Sequence, residues 1–384
     1  MSGLDNLDIP SLDIEDFDPD VLENEENNEI LDESGGALTY AIIGSGQGGG
    51  RIAKAFYDLG YKKAVIFNTA ESDLALLDLP DEHKFHVECG QQGAGKNQEI
   101  SRAAYENQSQ EIFNKLREIF GEKIDRILVC VGVAGGTGGG SVHPLVEVSK
   151  RYFTYIGKDS ANERVGVVAS LPTTGECASP TVAQNAYNRM THLSVGAANG
   201  DFAPLIIIDN DKIKKLYPKL TVKQFWPTLN NTVAGLFHIF NVLATKNSDY
   251  TTFDPADYNT IMKTKGCMIF GVTTVKDLEN ETSVSSALKK NLEKTLLAGG
   301  FDLTTAEGAA SIVVGGTKQY EEVAGLMDSI EYGFDTLATI TGGAVVHRGI
   351  YEDPNKERLV AYTIVGGLDA PQKRLNDLKK FLDM

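Results

Sequence analysis

Residues 132–140 read Gly-Val-Ala-Gly-Gly-Thr-Gly-Gly-Gly, between the apolar run Arg-Ile-Leu-Val-Cys-Val at 126–131 and a helical stretch that begins near Val142. Few segments restrict a chain more. Glycines at the end of a buried strand do not prolong it. They let successive backbone N–H groups turn toward one anion, while the helix that follows adds its positive end. The combination predicts a phosphate-binding loop and an α/β fold in which strand, loop and helix recur.

From Leu38 onward short β-branched runs do alternate with longer amphipathic stretches. Strands are expected at 39–43, 64–67, 126–131, 165–170 and 204–209, with helices near 48–59, 97–120, 143–156 and 181–194. That pattern predicts a doubly wound α/β domain. Residues 228–245 read as one long core helix with Leu229, Val233, Leu236, Phe237, Phe240 and Leu243 on adjoining faces, and His238 and Asn241 as satisfied core polar groups. Strands near 266–274, 310–315, 343–348 and 358–366, alternating with helices near 283–298 and 317–332, predict a second, smaller α/β domain. The expected division is an acidic tail at 1–37, a nucleotide-binding domain at 38–224, the central helix at 225–247, the C-terminal domain at 248–370 and a basic amphipathic tail at 371–384.

Charge and composition narrow the partners. Residues 1–36 hold 13 acidic and no basic side chains, so of the net charge of −17 the remainder carries −17 + 13 = −4. The leader is expected to be a disordered tail, and nothing is basic enough for a nucleic-acid surface. No apolar run approaches the roughly 18 residues of a membrane span, and the acidic start is unlike a signal peptide. A cytoplasmic protein without membrane insertion is expected. Cys89, Cys130, Cys177 and Cys267 show no C-x-x-C spacing and read as buried thiols, not as a disulfide framework or a metal site.

Two further glycine loops offer competing readings. Gly44-Ser-Gly-Gln-Gly-Gly49 satisfies G-x-G-x-x-G, the signature of a nicotinamide-dependent oxidoreductase. A dinucleotide fold also needs an acidic residue about 20 positions on, whereas 66–70 read Ile-Phe-Asn-Thr-Ala, with no carboxylate before Glu71. Residues 90–97, Gly-Gln-Gln-Gly-Ala-Gly-Lys-Asn, lack the Ser or Thr that a P-loop places after its lysine.

One resemblance explains all three loops. Ala134-Gly135-Gly136-Thr137-Gly138-Gly139-Gly140 resembles the tubulin/FtsZ signature loop, G-G-G-T-G-[ST]-G, with Ala134 at its first glycine and Gly139 where the family carries a hydroxyl. Gly46, Gln47, Gly48 and Gly49 resemble the family's first phosphate loop and Asn68-Thr69 its second. Gly93, Ala94, Gly95 and Asn97 resemble the G-A-G-x-N loop that reaches the γ-phosphate. The resemblance implies a GTP or GDP site with Mg2+. It implies ribose binding by Glu176, which otherwise reads as a solvent-facing loop acid, purine contact by Asn210 and guanine recognition by Asn231. The arginines that FtsZ carries after the glutamate are absent.

Thr252-Phe-Asp254-Pro-Ala-Asp257 resembles the N-x-D-x-x-D loop of FtsZ, with Thr252 in place of the asparagine. In the family this loop enters the next subunit's pocket, which implies catalysis by Asp254 and Asp257 inside a head-to-tail homopolymer. Their spacing puts both carboxylates on one face of a helix start, where they also suit a helix cap. Residues 343–354 and 358–367 resemble the final FtsZ hairpin, so the likeness covers 38–370. Leu7-Asp-Ile-Pro-Ser-Leu12 is similar to the adaptor-binding peptide of FtsZ, and the tail at 371–384 is a second place for an adaptor or a neighbouring subunit. Gln47, Asn68 to Ala70 and the missing arginines resemble CetZ-like, plasmid or phage tubulin homologues more than division FtsZ. The resemblance implies a polymerising GTPase of cell shape, division, or DNA or phage positioning. The alternatives are a filament or adaptor that binds GTP without hydrolysing it and, more remotely, the oxidoreductase.

Overall fold

The structure, a computed structural model, describes residues 34–216, 221–293 and 297–382. The Leu7–Leu12 peptide and nearly all of the acidic leader lie outside the described residues. Ten strands form one mixed sheet: β1 (Tyr40–Ser45), β2 (Ala64–Asn68), β3 (Lys84–His86), β4 (Arg126–Gly132), β5 (Val165–Leu171), β6 (Leu205–Asp209), β7 (Cys267–Thr274), β8 (Gly308–Gly315), β9 (Val345–Glu352) and β10 (Val360–Leu368). Their spatial order is β3-β2-β1-β4-β5-β6-β7-β10-β8-β9. From β3 to β7 all neighbours run parallel. The C-terminal ends of β1, β2, β4, β5 and β6 therefore gather along one edge, called here the upper edge.

The apolar runs are continuous because helices cover both faces of the sheet. Along β4, Ile127, Val129 and Val131 enter one core while Leu128 and Cys130 enter the other, the alternation a pleated strand imposes. The helices that matter for the site are α1 (Gly46–Asp58), α2 (Gln98–Asn107), α3 (Ser109–Phe120), α4 (Gly136–Tyr155), α5 (Pro180–Asn199), α6 (Asn210–Leu216), α7 (Val222–Leu243), α8 (Pro255–Met262) and, at the C-terminus, α9 (Gln372–Lys380).

Several expectations need correction. The helix expected at 97–120 is two, α2 and α3, broken at Gln108, and that expected at 317–332 is divided into Thr317–Glu322 and Leu326–Ile340. The long helix begins at Val222, ahead of the expected 228, because Thr221 and Gln224 close a capping box. The last two strands are not a hairpin: β10 is inserted antiparallel between β7 and β8, and β9 lies beyond β8 and parallel to it. Nor is the sheet interrupted between the two expected domains, since β6 pairs with β7 at Leu205↔Cys267 and Ile206↔Met268.

Two charged side chains brace this seam. Arg126, fully buried at the start of β4, donates through Nη2 to the carbonyls of Ala203 (2.8 Å) and Met262 (2.6 Å), the second at the end of α8. The C-terminal tail packs on its own chain: Leu375 and Leu378 of α9 are buried, and Arg374 grips Asp209 at the end of β6 through Nε (2.8 Å) and Nη2 (3.0 Å).

Candidate nucleotide site

A cleft of about 280 Å3 opens along the upper edge. At one end α1 and α4 both point their N-termini into it, lined by Gly46, Gln47 and Gly48 and by Ala134, Gly135, Gly136, Thr137 and Gly138. Two helix starts with unpaired N–H groups make the positive concavity that phosphate favours. Thr137 Oγ1 lies 2.6 Å from the Thr69 hydroxyl, and Thr69 Oγ1 also accepts from Ala94 N at 3.1 Å. One hydroxyl pair thus joins the second and third loops to the signature loop. A Cβ on Gly136 would lie 2.8 Å from Lys96 N, so glycine is required where the third loop presses on the fourth.

The other residues singled out in these loops do not line the cleft. Gly49 packs beneath it against the Cys130 carbonyl. Asn68 Oδ1 accepts from Ala70 N (3.1 Å), and its Nδ2 donates to Asp73 (3.3 Å), whose carboxylate lines the cleft. Gly93 and Ala94 are buried, and Asn97 caps α2 by accepting from Glu99 N (3.0 Å) and Ile100 N (3.3 Å). Gly95 and Asn97 line a neighbouring polar groove with Asn185 and Arg189. Gly139 faces away from the cleft, toward the Gln98 amide.

The opposite end is formed by the end of β5, the turn after it and the starts of α6 and α7. Glu176 lines it, although its Oε2 already accepts from Thr173 N (2.8 Å) and Thr173 Oγ1 (2.9 Å), leaving the other oxygen free to meet a hydroxyl. Asn210, at the start of α6, is 6% exposed, and its Oδ1 is buried with no hydrogen-bond partner. A buried acceptor left unmet costs about 1–3 kcal/mol, and Asn210 lines the cleft, where a ligand can supply the donor. From α7, Trp226, Leu229 and Asn230 line the same wall. Asn231, the residue expected there, is exposed and lies one step around the helix in a groove with Arg51, Lys54 and Asp58. The spacing of apolar residues along the helix does not by itself fix which of two adjacent amides meets the cleft. Trp226, Asn230, Arg51 and Asp73 also line the cleft and lie outside the family-like motifs of the sequence. The one available signal was the chain's single tryptophan, four residues before an amide on an amphipathic helix.

Among the described residues no cluster of three His, Cys, Asp or Glu side chains is placed to hold a metal ion. The cleft's carboxylate Asp73 and hydroxyl Thr137 make a sparse donor set. It suits a cation that takes most of its ligands from phosphate oxygens and water, as Mg2+ does.

Asp254 and Asp257 lie at the other edge of the sheet. Asp254 caps α8, its Oδ1 accepting from Asp257 N (2.8 Å), and Asp257 Oδ2 accepts from Asp254 N (3.3 Å). Asp257 Oδ1 lies 2.7 Å from His347 Nδ1, near the start of β9, an ion pair when the imidazole is protonated. Because β9 runs parallel to β8 and β7, its start belongs to the lower edge, as does Arg126, which holds the last carbonyl of α8. A strand the length of β4, seven residues, spans about 23 Å. The carboxylates therefore do not meet the glycine loops within one subunit. Beneath them Tyr258 and Tyr351 are neutral phenols, the pKa of each raised by burial.

Residues 251–372 match the family model for the C-terminal domain of the tubulin-like protein TubZ. A Bacillus cereus tubulin-like protein TubZ is 23% identical over 291 residues, covering 70% of this chain and 64% of that protein, so the chain spans just under two thirds of this relative's length. A tubulin-like protein CetZ from Methanothrix thermoacetophila is 25% identical over 330 residues, covering 84% of this chain and 82% of that one. Among solved structures, a GTPγS-form protofilament of Bacillus thuringiensis serovar israelensis TubZ superposes with a TM-score of 0.77 at 19% identity, over 93% of this chain and 92% of that one. No helix among the described residues is long and apolar enough to cross a membrane.

Proposed function

The chain is a divergent tubulin/FtsZ-superfamily protein of the TubZ and CetZ type, and from that premise we propose that it binds GTP in the upper cleft and hydrolyses it only within a head-to-tail filament. The observation that carries the binding half is the unmet Asn210 Oδ1. It belongs to a side chain that lines a cleft ending in two helix N-termini and walled by a tryptophan and a second amide. In this reading the phosphates rest on the starts of α1 and α4, the ribose meets Glu176, the base stacks on Trp226, and Asn210 and Asn230 meet the polar edge of guanine. Asp73 and Thr137 are the residues that would hold Mg2+, which supplies charge neutralisation at the phosphates.

The division of the chain into a GTP-binding unit and a carboxylate-bearing unit supports the catalytic half. A cleft on the upper edge and Asp254 with Asp257 on the lower edge meet only when one subunit stacks on the next, a heterologous contact that builds an open polymer. There Asp257, its orientation held by His347, positions the attacking water near the terminal phosphate and draws off its proton, with Asp254 beside it. The filament acts in the cytoplasm in cell shape, division, or DNA or phage positioning, with adaptors meeting the acidic leader.

The cap supports a second reading. Both carboxylates already satisfy backbone groups of α8, which suits a filament that binds GTP without hydrolysing it. Phosphate release measured across protein concentration separates the two. Turnover per subunit is expected to climb through the polymerisation threshold seen by light scattering and electron microscopy. Constant turnover at all concentrations overturns hydrolysis in trans, and none at any concentration leaves the non-hydrolysing filament. For binding, fluorescence of the sole tryptophan should respond to GTP and GDP and not to NADH.

A further inference from the structure

We propose that Gln98 is the positioning residue of the signature loop, holding from behind the place a hydroxyl at position 139 would occupy; this rests on the GTP-site reading. Gln98 is buried at the first position of α2 and does not line the cleft. Its Nε2 donates to the carbonyls of Val133 (2.8 Å) and Gly135 (3.2 Å). Its Oε1 accepts from Arg189 of α5, through Nε at 3.3 Å and Nη2 at 3.1 Å. A guanidinium only donates, so Arg189 fixes which end of the amide is oxygen and leaves the NH2 group facing the loop.

The carbonyl between those two is held as well. Asn185, four residues before Arg189 and on the same face of α5, donates to Ala134 O (3.2 Å) and Lys96 O (2.8 Å). Three successive carbonyls, of residues 133, 134 and 135, are thus turned toward α2 and α5. A loop whose carbonyls are drawn to one side presents its N–H groups to the other, which is the condition for an anion nest. Gly139 completes the device. A Cβ there would overlap the Gln98 amide and come 2.8 Å from Val133 O, so a side chain at 139 and the glutamine amide exclude one another. The glycine that stands where the family has a hydroxyl makes room for the substitute.

The test is a mutant cycle on the full chain, with GTP titrated against Trp226 fluorescence and unfolding followed by circular dichroism. Gln98→Ala is expected to weaken GTP binding about tenfold by freeing two loop carbonyls. Gly139→Ser should weaken it further, and the double variant should bind GTP more tightly than Gly139→Ser alone. Gln98→Glu keeps the shape and the Arg189 contact but has no N–H to give. It should lose affinity while its melting temperature stays within a few degrees of the parent. Parental affinity in Gln98→Ala or Gln98→Glu, or a double variant no better than Gly139→Ser, overturns the assignment. A parent chain that gives no GTP response contradicts the GTP-site reading itself.

Discussion

The upper cleft and the lower carboxylate corner solve opposite problems. Around the cleft the loops are joined by the Thr69 and Thr137 hydroxyls and held from behind by Asn185 and Gln98, while Asn210 Oδ1, on a side chain that lines the cleft, stays unmet. At the corner the two carboxylates are engaged within their own chain, with Asp257 held between the start of α8 and His347. The cleft is organised to receive; the corner is organised to keep one geometry until something reaches it. This difference suits a site assembled from two subunits, since hydrogen bonds within the chain hold the carboxylates in one orientation before a neighbour arrives.

The sharpest way to break this comparison is Asp257→Ala. It should leave GTP affinity unchanged, lower turnover at least about 100-fold and lengthen filament lifetime, as expected for loss of a general base. Turnover at the parent rate removes the corner from catalysis. Asn210→Leu probes the other side and should split two quantities that usually move together. GTP affinity should drop about tenfold while the ligand-free chain gains roughly 1 kcal/mol, because an unmet buried acceptor is removed. Equal losses in both show that Asn210 serves the fold alone.

Acid tests what the two regions share. Trp226 and Asn230 lie in the first half of α7, and Phe240, in its second half, packs on Phe253 just before the corner. Burial pulls His238, between them on the same helix, down to about 4 from 6.5. Its folded form is therefore the neutral one. The stability it contributes is complete above pH 6.5 and is lost as pH falls from 6.5 toward 4, roughly 1–2 kcal/mol by pH 5. Urea unfolding at pH 7 and pH 5 should show this loss, and His238→Phe should flatten it. The smallest effect is expected of His347→Gln, a few-fold fall in turnover at constant GTP affinity, since an amide can still donate a hydrogen bond to Asp257 but holds it less rigidly than the ring.

The glycine loops were legible because their code is local: a buried strand, glycines and a helix start lie within about a dozen residues, and the contacts follow from backbone geometry. The wall formed by Trp226 and Asn230 was legible only in part. A helix advances 100° per residue, so placing Asn230 instead of Asn231 in the cleft requires its phase, which is set by the cap at Thr221 and by packing over the sheet. Gln98 with Arg189 was beyond reach, because two helices 91 positions apart meet only after folding. The insertion of β10 between β7 and β8 is equally non-local: alternation marks a strand but not its neighbours.

The two pairs joining β6 to β7 have a mechanical meaning. In a head-to-tail stack gripped above through the glycine loops and below through α8, a pull along the filament would be shared between the core of α7, which packs on β1 and β7, and that joint. Arg126 crosses it like a bolt, anchored in the strand that ends in the signature loop and fastened to the helix that carries the carboxylates. Stretching, bending or twisting such a polymer would load this guanidinium together with the Arg374–Asp209 pair in every repeat, and a filament's springiness should follow how firmly the two are held.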